Sequence, residues 1–152
     1  GSVLGLLPMP YGALYAASKH AVEGYSESLD HELRTRGIRV CVIEPAYTRT
    51  AFDANVLQPD APLDEYQAIR AVQNELLRGA ITKGDDPGIV ADVVLRAASA
   101  AHPKLRYTAG SLAGRLRFLR RFAPAGLVDA GIRKDFRLDV QTTSDTRASA
   151  SQ

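Results

Sequence analysis

The longest regular pattern of apolar positions in the chain predicts a helix between Gly12 and Arg36. Apolar side chains recur there at intervals of three and four residues, the spacing of one helical face: Leu14, Ala17, Ala21, Val22, Tyr25, Leu29 and Leu33. Gly37 follows this pattern and supplies a helix stop. We interpret Tyr25, which lies on this apolar stripe, as a packing residue.

Two other segments predict short strands. Residues 38–45 (IRVCVIEP) are β-branched and apolar ahead of a proline, the pattern of a strand buried on both faces of a parallel sheet. Residues 105–110 (LRYTAG) predict a second strand. The other periodic segments predict helices over 64–78, over about 85–101 with Asp85 or Asp86 as N-cap, and from Ser111 onwards.

Helices that alternate with short buried strands predict an α/β fold. Two strands are too few for an open parallel sheet with this much helix, because such sheets contain several more. The chain also opens in a loop, where Pro8 and Pro10 exclude a helix. We therefore expect the sequence to be the C-terminal part of a longer protein.

Composition and charge exclude several classes of protein. The 152 residues are one domain's length, and 45% hydrophobic with 24% charged residues is a globular composition. A net charge of +2 gives no indication of a nucleic-acid partner. A single cysteine, Cys41, and three histidines without metal-like spacing predict neither a disulfide nor a metal site, and favour a cytoplasmic protein. Residues 1–18 carry no charge, but their prolines and glycines interrupt any signal peptide or membrane span.

Tyr15 and Lys19 carry the candidate chemistry. Side chains four residues apart on a helix share one face, so the phenol and the ammonium can converge on one ligand. A nearby cation stabilises a phenolate and lowers its pKa, which would let Tyr15 transfer protons near neutral pH. Ser2 lies thirteen residues before Tyr15, where its hydroxyl could bond the oxygen on which Tyr15 acts. Together the three residues predict a site that interconverts a carbonyl and an alcohol.

These residues resemble the active site of the classical short-chain dehydrogenases/reductases. The resemblance covers roughly residues 1–110 and is carried by Ser2, Pro10, Tyr15, Ser18, Lys19 and Ala21, and by the segment Pro45-Ala46-Tyr47-Thr48-Arg49-Thr50. It implies the C-terminal part of a Rossmann-like doubly wound parallel sheet, with the N-terminal nucleotide-binding half missing, and NAD or NADP as the cofactor. Glu44-Pro45 and Thr50-Ala51-Phe52 resemble the branch that acts on hydroxysteroids, retinoids and similar lipophilic alcohols.

The resemblance also implies a role for each catalytic residue. Tyr15 would be the general acid and base of the reaction. Lys19 would lower the pKa of Tyr15 and hold the nicotinamide ribose, and Ser2 would orient the substrate oxygen. The helix that carries Tyr15 would pack against its symmetry mate in a homodimer or tetramer.

The segment that begins at Pro45 would bind the cofactor by the same resemblance. It would close over the nicotinamide carboxamide, which would contact the backbone of Thr48 and the hydroxyl of Thr50. Residues 51–80 would form a mobile lid over a small lipophilic alcohol or carbonyl substrate.

Two departures from the family pattern change these expectations. Ala46 replaces the usual glycine, which is a mild change only if that residue keeps a negative φ. The glycine-rich turn, the cofactor selector and the catalytic asparagine of the family would all lie upstream of Ser2, so we expect this chain to be inactive alone. We divide it into a catalytic part (1–110), a basic helical extension (111–139) and a disordered tail (140–152).

The basic extension leaves two interpretations open. Residues 104–137 hold nine basic and two acidic side chains together with an apolar side. Such a region is typical of a membrane-surface element, which gives an alternative function: a non-catalytic binding module on an anionic or membrane surface. The other interpretation is that the apolar side packs on the dehydrogenase body while the arginines remain solvated.

The segment Thr108–Gly114 follows a predicted strand and opens a predicted helix, which superficially imitates a dinucleotide-binding fingerprint. Its glycine spacing lacks the third member. We expect these glycines instead to let the strand turn and pack.

Overall fold

The computed structural model describes residues 1–56 and 60–138 and has an α/β arrangement. Its elements are a 3₁₀ turn (Val3–Gly5), helix α1 (Ala13–Arg34), strand β1 (Val42–Pro45), helices α2 (Gln67–Thr82) and α3 (Pro87–Ala98), strand β2 (Arg106–Ala109), and helices α4 (Ser111–Phe122) and α5 (Ala125–Asp135). Further 3₁₀ turns at Asp53–Asn55 and Asp64–Tyr66 lie between β1 and α2. The predicted fold class is confirmed, and the tail predicted at 140–152 lies outside the described residues.

The strands β1 and β2 form a parallel pair, in which Val42 is opposite Arg106. The pairing agrees with the prediction, but β1 is shorter than residues 38–45. The backbone before Val42 does not continue the ladder with β2. The Val40 N–H instead donates a hydrogen bond to the Asp30 carboxylate at 2.9 Å. A side chain of α1 therefore replaces a neighbouring strand as the partner of this segment.

Most of the apolar stripe predicted on α1 does not face the core; of its members only Leu29 and Leu33 are half-buried. Leu14 is 89% exposed and Tyr25 is 69% exposed, so the interpretation of Tyr25 as a packing residue is wrong for this chain. The buried residues of α1 are Ala16, Glu23 and Asp30, spaced seven apart. Its inner face thus carries two carboxylates, which arginines neutralise.

Asp30 anchors the end of α1 to the approach of β1. Its carboxylate is fully buried and accepts hydrogen bonds from Arg39 Nε at 2.8 Å, from the Arg34 guanidinium, and from the Val40 N–H. The bonds from Arg39, Arg34 and Val40 hold the pKa of Asp30 far below its ordinary value. The carboxylate therefore stays ionised and ties the helix end to the strand.

A second charged cluster lies between α1, the two strands and α4. Glu44 on β1 is fully buried and lies 3.3 Å from Arg106 Nε and 3.4 Å from Arg117 Nη1. Arg106 also pairs with Glu23 and Glu27 of α1, each at 3.0 Å. Burial raises the pKa of Glu44, although the two arginines oppose the rise. This cluster holds the helices in place on both strands.

The basic region after β2 folds into α4 and α5. α4 packs inward through Ala113, which has no exposed surface. On the outer side Phe118, Phe122 and Leu127 are 62, 63 and 67% exposed. In the part of the chain that the structure describes, no helix is both long and apolar enough to cross a membrane.

Candidate active site

Ser2 is placed by the 3₁₀ turn that follows it. Its hydroxyl caps this turn by accepting the Leu4 N–H at 3.2 Å, and the residue is buried. The turn lies directly on α1, since a Cβ at Gly5 would come within 2.9 Å of the Lys19 carbonyl oxygen. This close approach requires glycine and brings Ser2 to the first turn of α1.

Tyr15 lies in the first turn of α1, with Ser2 as a polar neighbour. Its ring meets the ring of Phe52 edge-on, with the centroids 5.5 Å apart. Partial burial raises the pKa of Tyr15, and the Ser2 hydroxyl partly offsets that rise. The tyrosine is therefore a protonated phenol beside a serine hydroxyl, the arrangement that the thirteen-residue spacing predicts.

Lys19 lies one helical turn after Tyr15, as the spacing predicts. Its Nζ is 5.1 Å from the centroid of the Tyr15 ring, a position from which a cation interacts with the ring face. In this structure burial raises the pKa of Tyr15 and Ser2 opposes the rise, so the lowering of this pKa by Lys19 stays a prediction for the complete protein. Lys19 is also not among the described residues that line the adjacent cavity.

An apolar cavity of about 700 Å³ opens beside Ser2 and Tyr15. The predicted cofactor residues Pro45, Thr48 and Thr50 lie on the wall of the same cavity. Much of the remaining wall is apolar and includes Leu7, Phe52, Leu77, Leu112, Leu116 and Phe136. Five of the six predicted site residues therefore meet at one cavity, and Lys19 is the exception.

The loop after Pro45 presents the two threonines differently. Thr48 is half-buried, and its hydroxyl lies 3.5 Å from the Ala46 carbonyl oxygen. Thr50 is exposed, and its hydroxyl has no hydrogen-bond partner within the described ranges. The Thr50 hydroxyl is thus available to a ligand.

Ala46 fits its position without backbone strain. Among the described residues other than glycine, only Tyr11 and Arg137 have a positive φ. The replacement of the family's usual glycine by Ala46 is therefore mild.

Helices α4 and α5 contribute to the cavity wall, which sequence reasoning missed. Leu112 and Leu116, one turn apart on α4, line the cavity. The Gln73 side chain of α2 is buried and donates from Nε2 to the Phe136 carbonyl oxygen at 2.7 Å, so α2 is joined to the end of α5. The four-residue spacing of the leucines could have indicated an inward face; nothing in the sequence indicates the bond between Gln73 and Phe136.

Gly110 makes a tight turn between β2 and α4. Its φ is +86°, and a Cβ there would lie 1.9 Å from an Asp85 carboxylate oxygen. The Asp85 carboxylate therefore lies at the start of α4, where it stabilises the helix and would repel the phosphate of a dinucleotide. The structure agrees with the prediction for Gly110, whereas a Cβ at Gly114 would make only an ordinary contact with Thr108 at 3.8 Å.

No group of three or more His, Cys, Asp or Glu side chains suited to a metal ion occurs within residues 1–56 and 60–138. His20 and His31 lie on α1, and the Nδ1 of His20 is 2.9 Å from the Ala16 carbonyl oxygen.

Comparison with known proteins agrees with this geometry. The family model of the short chain dehydrogenases matches residues 1–61. YbbO of Escherichia coli strain K12, an uncharacterized oxidoreductase, is 37% identical over 128 residues, which cover 84% of this chain and 44% of that protein. The 17-beta-hydroxysteroid dehydrogenase type 1 of Mus musculus is 32% identical over 155 residues, which cover 98% of this chain and 45% of that protein. The chain thus spans less than half the length of these relatives. The similarity to the Mus musculus protein extends into α4 and α5.

Proposed function

The chain belongs to the short-chain dehydrogenase family, and we propose that it supplies the proton-transfer and substrate-binding part of an NAD- or NADP-dependent oxidoreductase. The reaction would interconvert an alcohol and a ketone or aldehyde. The observation that carries this proposal is the position of Tyr15 beside Ser2 on the wall of an apolar cavity. A proton donor beside a second hydroxyl, on the wall of a pocket that is largely apolar, suits a reaction at a polar C–O bond.

Ser2 would orient the substrate oxygen. The Ser2 hydroxyl accepts the Leu4 N–H and lies beside the Tyr15 hydroxyl, so a substrate oxygen placed between Ser2 and Tyr15 would accept hydrogen bonds from both. A carbonyl oxygen held beside Ser2 and Tyr15 would receive the proton of Tyr15 as its carbon is reduced. In the opposite direction Tyr15 would remove the proton of the alcohol, and its raised pKa favours the donor role.

The loop between Pro45 and Thr50 fits the amide end of a nicotinamide. A carboxamide both donates and accepts hydrogen bonds, and this wall offers the backbone of Thr48 together with the Thr50 hydroxyl, which has no partner among the residues that the structure describes. We assign these two residues to the carboxamide, and Lys19 to the adjoining ribose. NAD or NADP, when bound, supplies or accepts the hydride.

The substrate would be a lipophilic alcohol or carbonyl compound. The cavity volume of about 700 Å³ suits a molecule larger than a simple alcohol, and aliphatic and aromatic side chains form much of its wall. Relatives of this chain include proteins named 17-beta-hydroxysteroid dehydrogenase. Residues of α2, α4 and α5 would together determine which lipophilic molecules enter.

A homo-oligomer would cover the exposed stripe of α1. Leu14 and Tyr25 lie on that stripe and are largely exposed, which is unusual for large apolar side chains on one helix face. A second copy of the protein packed along α1 would bury them.

Contact with an anionic membrane is a second candidate function. The outer face of α4 presents Phe118 and Phe122, whose rings lie 4.8 Å apart, with Arg115 and Arg121 on either side of them. This combination suits the interface of an anionic bilayer. Because the inner face of α4 lines the cavity, we place this contact beside the enzyme function rather than instead of it.

Turnover by the full-length protein tests the proposed function. The protein would receive NADH or NADPH together with paired lipophilic and hydrophilic ketones and aldehydes, and loss of the reduced nicotinamide would be followed by absorbance. We expect turnover with lipophilic carbonyl compounds and formation of the matching alcohols. Absence of turnover with either cofactor in both directions would contradict the proposal.

A further inference from the structure

We propose that Arg49 is a positioning residue that holds Thr48 and Thr50 in place for the cofactor, by joining their loop to the turn between α2 and α3. This inference rests on the proposed function, since it concerns the same cofactor loop. The β1–β2 ladder ends at Pro45, so the residues that follow need another support. The turn formed by Gly84, Asp85 and Asp86 supplies it.

The loop and this turn are joined first through their backbones. Thr48 pairs with Asp85 as an isolated parallel bridge. The Asp85 N–H donates to the Tyr47 carbonyl at 2.9 Å, and the Arg49 N–H donates to the Asp85 carbonyl at 2.9 Å. The approach is close, because a Cβ at Gly84 would lie 2.7 Å from the Tyr47 carbonyl oxygen.

The Arg49 guanidinium then adds two side-chain contacts to the same turn. Its Nη1 donates to the Gly84 carbonyl at 3.2 Å, and its Nη2 donates to Asp86 Oδ2 at 3.0 Å. The other oxygen of Asp86 accepts the Gly88 N–H at 2.8 Å and caps α3. The Asp86 carboxylate therefore caps α3 and also pairs with Arg49 of the cofactor loop.

These side-chain contacts act on position more than on stability. The side chains of Arg49 and Asp86 are 53 and 65% exposed, and ion pairs at that exposure contribute little to the free energy of unfolding. Arg49 nevertheless lies between Thr48 and Thr50 in the sequence, so any shift of its backbone moves both threonines. Ligand-binding groups tolerate displacements of only a fraction of an ångström before affinity falls.

The turn also connects the cofactor loop with the cavity. The Gly84 N–H donates to the Ile81 carbonyl at 2.9 Å, and Ile81 near the end of α2 lines the cavity. Through Gly84, Arg49 thus links the cofactor loop to a wall that the substrate would touch.

The test compares variants of the full-length protein by cofactor affinity, steady-state kinetics and thermal unfolding. Arg49→Met removes both side-chain contacts, and Arg49→Lys can keep only one of them. Asp86→Asn removes the ion pair but keeps a good N-cap for α3. Arg36→Met is the matched control, since Arg36 is exposed and no side-chain contact is described for it.

We expect Arg49→Met to weaken NADH or NADPH binding by about three- to tenfold, with smaller losses in Arg49→Lys and Asp86→Asn. The KM for the cofactor should rise more than kcat falls, and the unfolding midpoint should stay close to that of the wild type. Amide hydrogen exchange at residues 47–50 should become faster in Arg49→Met, a measurement that needs no turnover.

Three results would overturn the role of Arg49. These are an unchanged cofactor affinity in Arg49→Met, an equal loss in Arg36→Met, and a loss of affinity that only follows a general fall in the unfolding midpoint. A wild-type protein that binds neither dinucleotide would instead contradict the proposed function itself, and the role of Arg49 with it.

Discussion

The ammonium nitrogen of Lys19 lies 5.1 Å from the centroid of the Tyr15 ring. From this position the cation interacts with the ring face, and burial of the phenol sets the direction of the pKa shift of Tyr15, which is upwards. The chain by itself thus holds a phenol suited to donate a proton. Any lowering of that pKa to the neutral range would depend on groups beyond those that contact Tyr15 here.

Replacement of Lys19 by methionine should impair two steps. Lys19→Met removes the cation near Tyr15 and the proposed ribose contact while keeping an unbranched side chain. We expect kcat/KM to fall by about tenfold or more, accompanied by weaker cofactor binding. Steady-state kinetics and calorimetric titration of the full-length protein measure the two effects, with Lys83→Met as the control. Wild-type values for both would exclude Lys19 from the site.

The buried carboxyl of Glu44 should make stability depend on pH. Its pKa is raised, so the folded protein holds this proton more tightly than the unfolded chain does. The resulting stabilisation is fully present below the ordinary value of 4.5 and is lost as pH rises through the folded-state pKa. Glu44→Gln should remove this dependence and, at neutral pH, leave the free energy of unfolding within about 1 kcal/mol of the wild type.

Urea unfolding of the full-length protein in acidic and neutral buffers checks the prediction for Glu44. Glu27→Gln serves as the control, because Glu27 also pairs with Arg106 but its side chain is 44% exposed. A Glu44→Gln variant that is much less stable than the wild type at neutral pH would show that the ion pairs outweigh the cost of burial.

Asp30 should have the opposite pH dependence. Its pKa is lowered, so its stabilisation is present above its ordinary value of 3.8 and is lost as the pH falls through the folded-state pKa. Asp30→Asn should lower the unfolding midpoint by several degrees at neutral pH, because the buried site would lose its charge for Arg34 and Arg39. Differential scanning calorimetry at several pH values, with exposed Asp92→Asn as the control, tests this. An unchanged midpoint would mean that Asp30 does not anchor α1.

The outer face of α4 should bind anionic vesicles. Each basic residue near an anionic surface contributes on the order of 1 kcal/mol, so full-length protein should cosediment with phosphatidylserine vesicles at low salt and dissociate at high salt. Replacing Arg115 and Arg121 by Glu should abolish cosedimentation. The same changes at Arg36 and Arg96 should have little effect. Equal binding to neutral and anionic vesicles, or binding to neither, would leave α4 without this role.

Several parts of the fold follow from local signals in the sequence. The sequence offers Asp85 or Asp86 as the N-cap before Pro87, and in the structure it is the Asp86 carboxylate that accepts the Gly88 N–H. The two strands were recognised by their β-branched residues, and they pair in parallel. Ser2 and Tyr15 lie beside each other, as the thirteen-residue spacing predicts, although an irregular loop connects the 3₁₀ turn to α1.

The face of α1 could not be assigned in the same way. Helical periodicity identifies an apolar stripe, but it does not show whether the stripe or the opposite face meets the sheet. In this chain the inner face carries Glu23 and Asp30. Asp30 pairs with the nearby Arg34 and Arg39, but Glu23 pairs with Arg106, 83 positions away. Pairing between distant charges leaves no local pattern.

The cavity wall was missed for a similar reason. Gln73 bonds to the Phe136 carbonyl across 63 positions of sequence, and neither residue belongs to a motif. The outward phenylalanines and the inward leucines of α4 lie on one short helix. A count of its apolar residues therefore does not show that they occupy two different faces.

The substitution Tyr15→Phe in the full-length protein tests whether Tyr15 transfers the proton. The change removes the phenolic hydroxyl while keeping the ring that packs on Phe52. General acid–base catalysis contributes about 10² to 10⁴-fold, so kcat should fall by that factor while NADH or NADPH binds as tightly as in the wild type. A variant that retains more than about a tenth of wild-type kcat would show that the proton comes from another group, and would contradict the account.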